Sequence, residues 1–421
     1  MSDISGKLTK KQVLAAITGG FAFVAACNLS YFISYYYAVY QAATGFTDGQ
    51  IGEIMSLVGI AATISYILGG PLADKYRPKV LLIICCVSTS IASLGMLLYP
   101  SFTLMKVIHA VIAVCALLPH WMPLTKFMSL QSSDSKTLNK MWGIYSGVCG
   151  VLGLAIGLIA SALASKIEPK TCMTVTVFMN IFLNVITVIL ILTVDKSKRG
   201  DAVVAGEKFD FKEALKLLVM PKTWIMWITA IGIYLAAFAL TYTTPLMTSV
   251  FGVSVATATL INTLSANLKI VTGPISGGLA AKFGSCLKAN LLLYGIGAVG
   301  LILLLVFPWG PGSIAIILVS VAILAFAYRS STTYWGPIHT DSGIPISLIG
   351  TSSGLLSVVM TIPDTFIYTL GGRAAERGEA GFRSIFMWVL VCFAVGAAAN
   401  IALIAMRKKE QAKETAESKE E

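Results

Sequence analysis

Apolar residues in this chain follow neither the alternation of a strand nor the single stripe of a surface helix. They run on for long stretches, separated by short polar joints. A helix needs about 20 mostly apolar residues to cross hydrocarbon. Runs of that kind occupy 14–40, 50–70, 79–99, 103–126, 141–164, 172–194, 223–248, 253–280, 287–307, 313–337, 346–371 and 383–406, twelve in all. The alternating pattern of a barrel strand is absent, and a continuous apolar run predicts a helix, which satisfies its own backbone in lipid. The expected fold class is therefore an all-α membrane protein with twelve transmembrane helices.

Most joints are short. Asp195–Lys222 is longer and charged, and it separates six spans from six. Within it, Phe209–Val219 has the amphipathic character of a helix lying along the interface. The tail Arg407–Glu421 is charged and predicts a disordered segment or a frayed helix. The expected organisation is a six-helix bundle over 1–194, a linker over 195–222, a second six-helix bundle over 223–406, and a tail over 407–421. The polar Met1–Lys11 is followed by an apolar run too long for a signal peptide, so the first run reads as a retained span.

Composition agrees with lipid as the main solvent. Of 421 residues, 56% are hydrophobic and 12% charged, against about 25% charged in soluble domains. Mean hydropathy is +0.82. The net charge of +11 would fit a nucleic-acid partner, but its distribution does not. With the N-terminus inside, 22 Lys and Arg fall on the inner side and 5 on the outer. That bias orients a membrane protein with both termini cytoplasmic. The eight cysteines lie in or beside apolar runs, with no Cys-x-x-Cys pair and no Cys/His cluster. They read as packing residues, so neither metal nor cofactor is expected.

The two halves repeat. Gly70-Pro-Leu-Ala-Asp-Lys-Tyr76 aligns with Gly277-Gly-Leu-Ala-Ala-Lys-Phe283, and Gly143-Ile-Tyr-Ser-Gly147 with Gly350-Thr-Ser-Ser-Gly354. Asp134-Ser135 aligns with Asp341-Ser342, and Tyr35 with Tyr242, all at one offset of 207 residues. A constant offset at separate polar and glycine-rich sites indicates a duplicated six-helix unit, giving parallel repeats about an axis along the membrane normal. Twelve spans, a charged central segment and Gly70-Pro-Leu-Ala-Asp74-Lys75-Tyr-Arg77-Pro-Lys79 between spans 2 and 3 resemble the major facilitator superfamily. Its loop signature is Gly-x-Leu-Ala-Asp-(Arg/Lys)-x-Gly-(Arg/Lys)-(Arg/Lys). Here Arg77 replaces the Gly and Pro78 the first basic residue. The resemblance implies a monomeric fold in which spans 1, 4, 7 and 10 line a central cavity, with Asp74, Lys75 and Arg77 gating its cytoplasmic side. A narrower likeness, through Tyr328-Arg329, Tyr334-Trp335, Ile344-Pro345, Gly350-Thr351, Gly354, Ser357 and Pro363-Asp364, is to a bacterial subgroup of poorly defined substrate, loosely grouped with sugar-acid and organic-anion carriers.

Ionisable side chains inside hydrocarbon are costly, at about 2.5–3.5 kcal/mol on insertion scales. Lys269 and Arg329 each lie sixteen residues into their spans, 8 and 10. At about 1.5 Å per residue they share one depth. Two cations at one level suit an anionic guest, Arg with a planar fork and Lys as a point charge. The alternative is snorkelling or pairing with backbone carbonyls. Asp364, after Pro363 in span 11, is read as a proton carrier, a gate partner or a structural polar contact. In span 1, Tyr31, Tyr35 and Asn28 share a face, and Tyr242 in span 7 matches Tyr35 by repeat. These hydroxyls would read solute oxygens. Span 4 adds His120, a titratable candidate or a packing residue, and Trp121, placed with the solute-binding set.

These features point to a secondary transporter of a small, anionic organic solute in a bacterial inner membrane. Proton symport and exchange both stay open. A receptor that kept the fold, or a carrier of a neutral sugar-like solute, are the alternatives. No Gly-x-x-x-x-Gly-Lys-(Ser/Thr) or His-Glu-x-x-His motif occurs, and no acids are paired within the spans, so ATP hydrolysis and intramembrane enzymology are not expected. Lipid and a small solute are the expected partners, and nucleic acid is not.

Overall fold

The computed structural model describes residues 8–132, 135–194, 211–345 and 348–420. These form α-helices joined by short turns and 3-10 segments, with no strand among the described residues. The first half contains α1 (Lys10–Ser30), α2 (Phe32–Thr44), α3 (Asp48–Lys75), α4 (Pro78–Leu94), α5 (Phe102–Leu117), α6 (Trp121–Ser129), α7 (Ser135–Ala164) and α8 (Pro169–Thr193). The short α9 (Phe211–Val219) is amphipathic, and the linker before it lies outside the described residues. The second half contains α10 (Pro221–Tyr234), α11 (Ala236–Ser249), α12 (Val255–Asn267), α13 (Lys269–Phe283), α14 (Cys286–Val306), α15 (Ile314–Ser331), α16 (Pro337–Asp341), α17 (Ile349–Thr361), α18 (Asp364–Ala375) and α19 (Glu379–Glu420). The charged tail continues α19 as helix to Glu420 instead of leaving it.

Among the described residues, eleven helical stretches are long and apolar enough to cross a membrane. The twelfth expected span is interrupted at Leu268, leaving helices of 13 and 15 residues, each too short to count alone. Large apolar side chains such as Ile91, Phe182, Val306 and Val391 are exposed, while Asn180, Asn290 and Asn400 are buried. That inversion of a soluble protein is expected when lipid surrounds the outside.

Spans 1 and 7 are each two helices, α1–α2 and α10–α11, and span 4 breaks at α5–α6. Pro119 accounts for the break in span 4, since proline has no N–H to continue the ladder. Spans 2 and 5 are unbroken, whereas their counterparts 8 and 11 break at Leu268 and at Ile362–Pro363.

The chain divides into two compact units. The first comprises Met1–Lys208, Val253–Asn267 and Asp364–Gly372; the second comprises Phe209–Gly252, Leu268–Pro363 and Arg373–Glu421. Two of the borders coincide with the breaks in spans 8 and 11. In the first unit α1 is central: 72% of its apolar window is buried, and Ala15, Ala16, Ala22, Ala25 and Ala26 let α4, α5, α7 and α8 close around it. In the second unit α14 packs on α15 and α19, and α10 on α19. The Asp341 carboxylate caps α14 there, accepting from Ser285 Oγ at 2.9 Å and from the Cys286 N–H at 2.6 Å. A carboxylate at a helix N-terminus takes up an orphan donor and opposes the helix dipole.

Beside that cap, His339 is fully buried between spans 10 and 11, its Nδ1 2.8 Å from Ser352 Oγ. Burial pushes its imidazole down to about 4 from an ordinary 6.5. The native state keeps it neutral, so as pH falls from 6.5 toward 4 the unfolded chain takes a proton that the folded chain refuses, and stability drops. Melting in detergent should therefore occur at lower temperature at about pH 5 than at about pH 7. The slope should flatten in His339→Gln; an unchanged slope in that variant would assign the pH dependence elsewhere.

Candidate functional site

The first unit holds a small cavity lined by Ser30, Tyr31, Ile33, Ser34, Met55, Val58, Gly59, His109, Asp364 and Tyr368. Tyr31 is the joint between α1 and α2, with φ −106° and ψ 33°, which turns the chain without proline or glycine. Asp364 is the first residue of α18 and only 6% exposed. α3 approaches it closely: a Cβ on Gly59 would sit 2.6 Å from the Asp364 carbonyl carbon. Any larger residue at position 59 would push α18 away. The Tyr31 hydroxyl hydrogen-bonds Tyr66, and both lie within electrostatic reach of Asp364. His109 is buried with Nε2 3.1 Å from the Tyr40 hydroxyl.

A second polar focus in the same unit is aromatic. The Phe23 ring packs against His120 at 5.8 Å, Trp121 at 6.1 Å and Tyr145 at 5.8 Å between centroids, and Tyr145 meets Trp142 at 4.9 Å. His120 is buried at the break between α5 and α6, and its Nε2 has no hydrogen-bond partner among the described residues. The same holds for Asn28 Nδ2 on α1. Tyr35, half-buried on α2, does not line the cavity that Tyr31 lines. Its carbonyl and that of Ser34 instead accept from the Asn262 side-chain amide, at 2.8 and 2.9 Å. Asn262 on α12 thereby satisfies two carbonyls beside the irregular turn at Tyr36 (φ −128°, ψ 36°). Nearby, α3 and α18 cross almost backbone to backbone. A Cβ on Gly52 would meet the Tyr368 carbonyl oxygen at 2.1 Å, and one on Gly372 the Asp48 oxygen at 2.2 Å.

In the second unit, Lys269 is half-buried at the first position of α13, just after the break. Arg329 is half-buried in the last turn of α15, over the Tyr328 ring at 5.0 Å. Its Nε is buried without a hydrogen-bond partner among the described residues, as is Trp335 Nε1. α13 packs on α15, and Tyr334 ties them by donating to the Ser276 carbonyl at 2.8 Å. Tyr242 is fully buried against Phe238. The expected set thus falls in two groups: Asn28, Tyr31, Tyr35, His120, Trp121 and Asp364 in one unit, Lys269, Arg329 and Tyr242 in the other.

The loop residues are solvent-facing. Lys75 and Arg77 are exposed, and the Asp74 side chain lies outside the described residues. The flanking lysines, by contrast, are engaged. Lys79 donates to the Val194 carbonyl, Lys126 to that of Ala73 at 2.8 Å, and Lys106 pairs with Glu53 at 3.3 Å.

A family model of the Major Facilitator Superfamily matches residues 18–362. The chain belongs to that superfamily. Among curated proteins, Inner membrane protein YqcE of Escherichia coli (strain K12) is 25% identical over 393 residues, covering 91% of this chain and 91% of YqcE. Among solved structures, a D-xylose-proton symporter superposes with a TM-score of 0.72 at 14% identity, covering 93% of this chain and 96% of its own. A variant of the nucleoside transporter NupG gives 0.71 at 14%, covering 94% and 100%. At such identities the likeness is one of fold. As a member of the major facilitator superfamily, the protein is a multi-pass membrane protein and a secondary transporter of a small solute, not an enzyme.

Sequence reasoning missed Asn262, Ser30, Ser34, Tyr368 and Tyr66, and met Trp335 only through family likeness. An asparagine amid the apolar run of span 8 was a visible signal; the hydroxyls were not, because serine and tyrosine recur throughout the spans. The Asn262 contact is directly testable. Asn262→Ala leaves two carbonyls without donors, and each unsatisfied group costs about 1–3 kcal/mol. Melting in detergent should fall by several degrees and recover partly in Asn262→Gln. A wild-type melting temperature in the alanine variant would show that the bond carries no stability.

Proposed function

We propose that this transporter carries a small, hydroxyl-rich, sugar-like solute by alternating access. The observation that carries the reading is the focus formed by Phe23, His120, Trp121 and Tyr145, with Asn28 on the same helix as Phe23. Aromatic faces cover the apolar faces of a sugar or nucleoside ring, and an amide N–H and an imidazole nitrogen without partners meet its hydroxyls. The fold is shared with proteins named for D-xylose and nucleosides, both neutral and rich in hydroxyls. YqcE is named an inner membrane protein, and the lysine and arginine bias supports both termini on the cytoplasmic side. The working state in this reading is a monomer in a bacterial inner membrane, running as a proton symporter or an exchanger.

A second reading gives the solute a negative group. It is favoured by the buried Arg329 Nε, a donor-only atom without a partner among the described residues, and by half-buried Lys269 on an adjacent helix. An organic anion would satisfy the guanidinium as a bidentate acceptor.

Thermal shift of purified protein separates the two, because a ligand that binds the folded state raises its melting temperature. Neutral monosaccharides and nucleosides would be screened beside sugar acids and sulfonates. The first reading expects stabilisation by a neutral compound, at least tenfold weaker in Trp121→Ala and retained in Arg329→Gln. The second expects stabilisation only by anions, lost in Arg329→Gln and Lys269→Gln. Labelled counterflow in proteoliposomes then separates a carrier from a receptor, which would bind without flux.

A further inference from the structure

We propose that the exposed face of α9, together with Trp224, is a docking site for anionic phospholipid headgroups of the adjoining leaflet. The proposal rests on the chain being a membrane protein and is independent of which solute it carries.

α9 has two unlike sides. Leu217 is fully buried, and the helix packs on α10 and α17, so that side faces the protein. Leu215, Leu218 and Val219 are exposed, Val219 at 81%. Their spacing of i, i+3 and i+4 puts them on one face. Three large apolar side chains gathered on one face of a nine-residue helix need a cover.

The surroundings say what covers them. Trp224, in the first turn of α10, is exposed, and its Nε1 donates to the Leu218 carbonyl at 2.8 Å, so the indole adjoins that face. One turn further along α10, Ile228 is exposed as well. α10 opens an apolar span, Pro221–Ser249, so Ile228 meets acyl chains. The apolar face of α9 is therefore continuous, through Trp224, with the lipid-facing side of a span. Tryptophan is enriched at that level of a bilayer. A second copy of the chain is a poorer occupant. A stable interface takes about 800 Å2 from each partner, and three side chains fall well short of that.

Charge selects the headgroup. Lys216 is exposed in the last turn of α9, three residues before Val219 and so at the edge of the apolar face. A lysine there lays its stem along apolar surface and carries its ammonium to the phosphate level. In the helical register, position 212, also a lysine, falls one turn before Lys216. Position 213, a glutamate, falls one turn before buried Leu217. Basic positions thus border the apolar face, and the acidic one does not. Each lysine near an anionic leaflet strengthens attachment about fivefold. Because α9 packs on both α10 and α17, lipid that seats α9 also steadies its grip on spans 7 and 11.

Hydrogen–deuterium exchange of the purified full chain tests this in nanodiscs holding a single copy. The discs would contain phosphatidylcholine alone, or phosphatidylcholine mixed with phosphatidylglycerol. Amides of α9 should exchange about fivefold more slowly, or slower still, with phosphatidylglycerol present. That gain should shrink in Lys216→Gln, persist in Lys216→Arg, and fade as salt screens the headgroups. In Leu218→Ser/Val219→Ser it should be lost. Equal exchange in the two lipids would overturn the proposal. So would the same protection from soluble glycerol phosphate in phosphatidylcholine discs, which would assign the lysines to a free anion. Protection that arises only in discs holding two copies would assign the face to a neighbouring chain instead. The salt series uses the wild-type protein alone, so it decides the matter even if a variant fails to fold.

Discussion

A peptide N–H or C=O in hydrocarbon has no water to turn to, so each must find its partner within the protein. The interruptions in this chain show how that requirement is met. Where the first span bends, the Asn262 amide takes the carbonyls of Ser34 and Tyr35. Tyr334 takes the Ser276 carbonyl, Lys126 that of Ala73, and Tyr294 that of Thr229. Polar side chains in the spans therefore serve the backbone first, and the buried polar atoms without a hydrogen-bond partner among the described residues stand out. Asn28 Nδ2, His120 Nε2, Arg329 Nε and Trp335 Nε1 are among them.

This explains why part of the site was legible from sequence and part was not. An ionisable side chain inside an apolar run is conspicuous on hydropathy alone, which nominates Arg329; His120 is nominated as a titratable group, and Asn28 by the face it shares with Tyr31 and Tyr35. The nomination could not say which neighbours face them. Asp364 was conspicuous too, yet its surroundings come from residues more than 300 positions earlier, such as Ser30 and Gly59. The fold was legible in outline, because span length and hydropathy read the membrane directly. The break at Leu268 was not: neither glycine nor proline marks it, and a two-helix span has the same average hydropathy as one straight helix.

Duplication and divergence are both visible in the breaks. Spans 1 and 7 are both interrupted, at Tyr31 and at Leu235, although the 207-residue offset leaves the two breaks about one helical turn out of step. Spans 2 and 5 stayed straight while 8 and 11 did not. The continuous α3 and α7 give long faces on which α18 and α12 rest, the first through Gly52 and Gly59, the second through Gly157, where a Cβ would come 2.4 Å from Thr263.

The segments 253–267 and 364–372 therefore belong physically to the first half, although ancestry assigns them to the second. A hybrid that joined the first six spans of this protein to the last six of a relative would graft foreign surfaces onto α3 and α7, where the fit leaves no room for a methyl group. Recombination at the central segment, natural or in the laboratory, has to carry those two short pieces along with the partner they rest on.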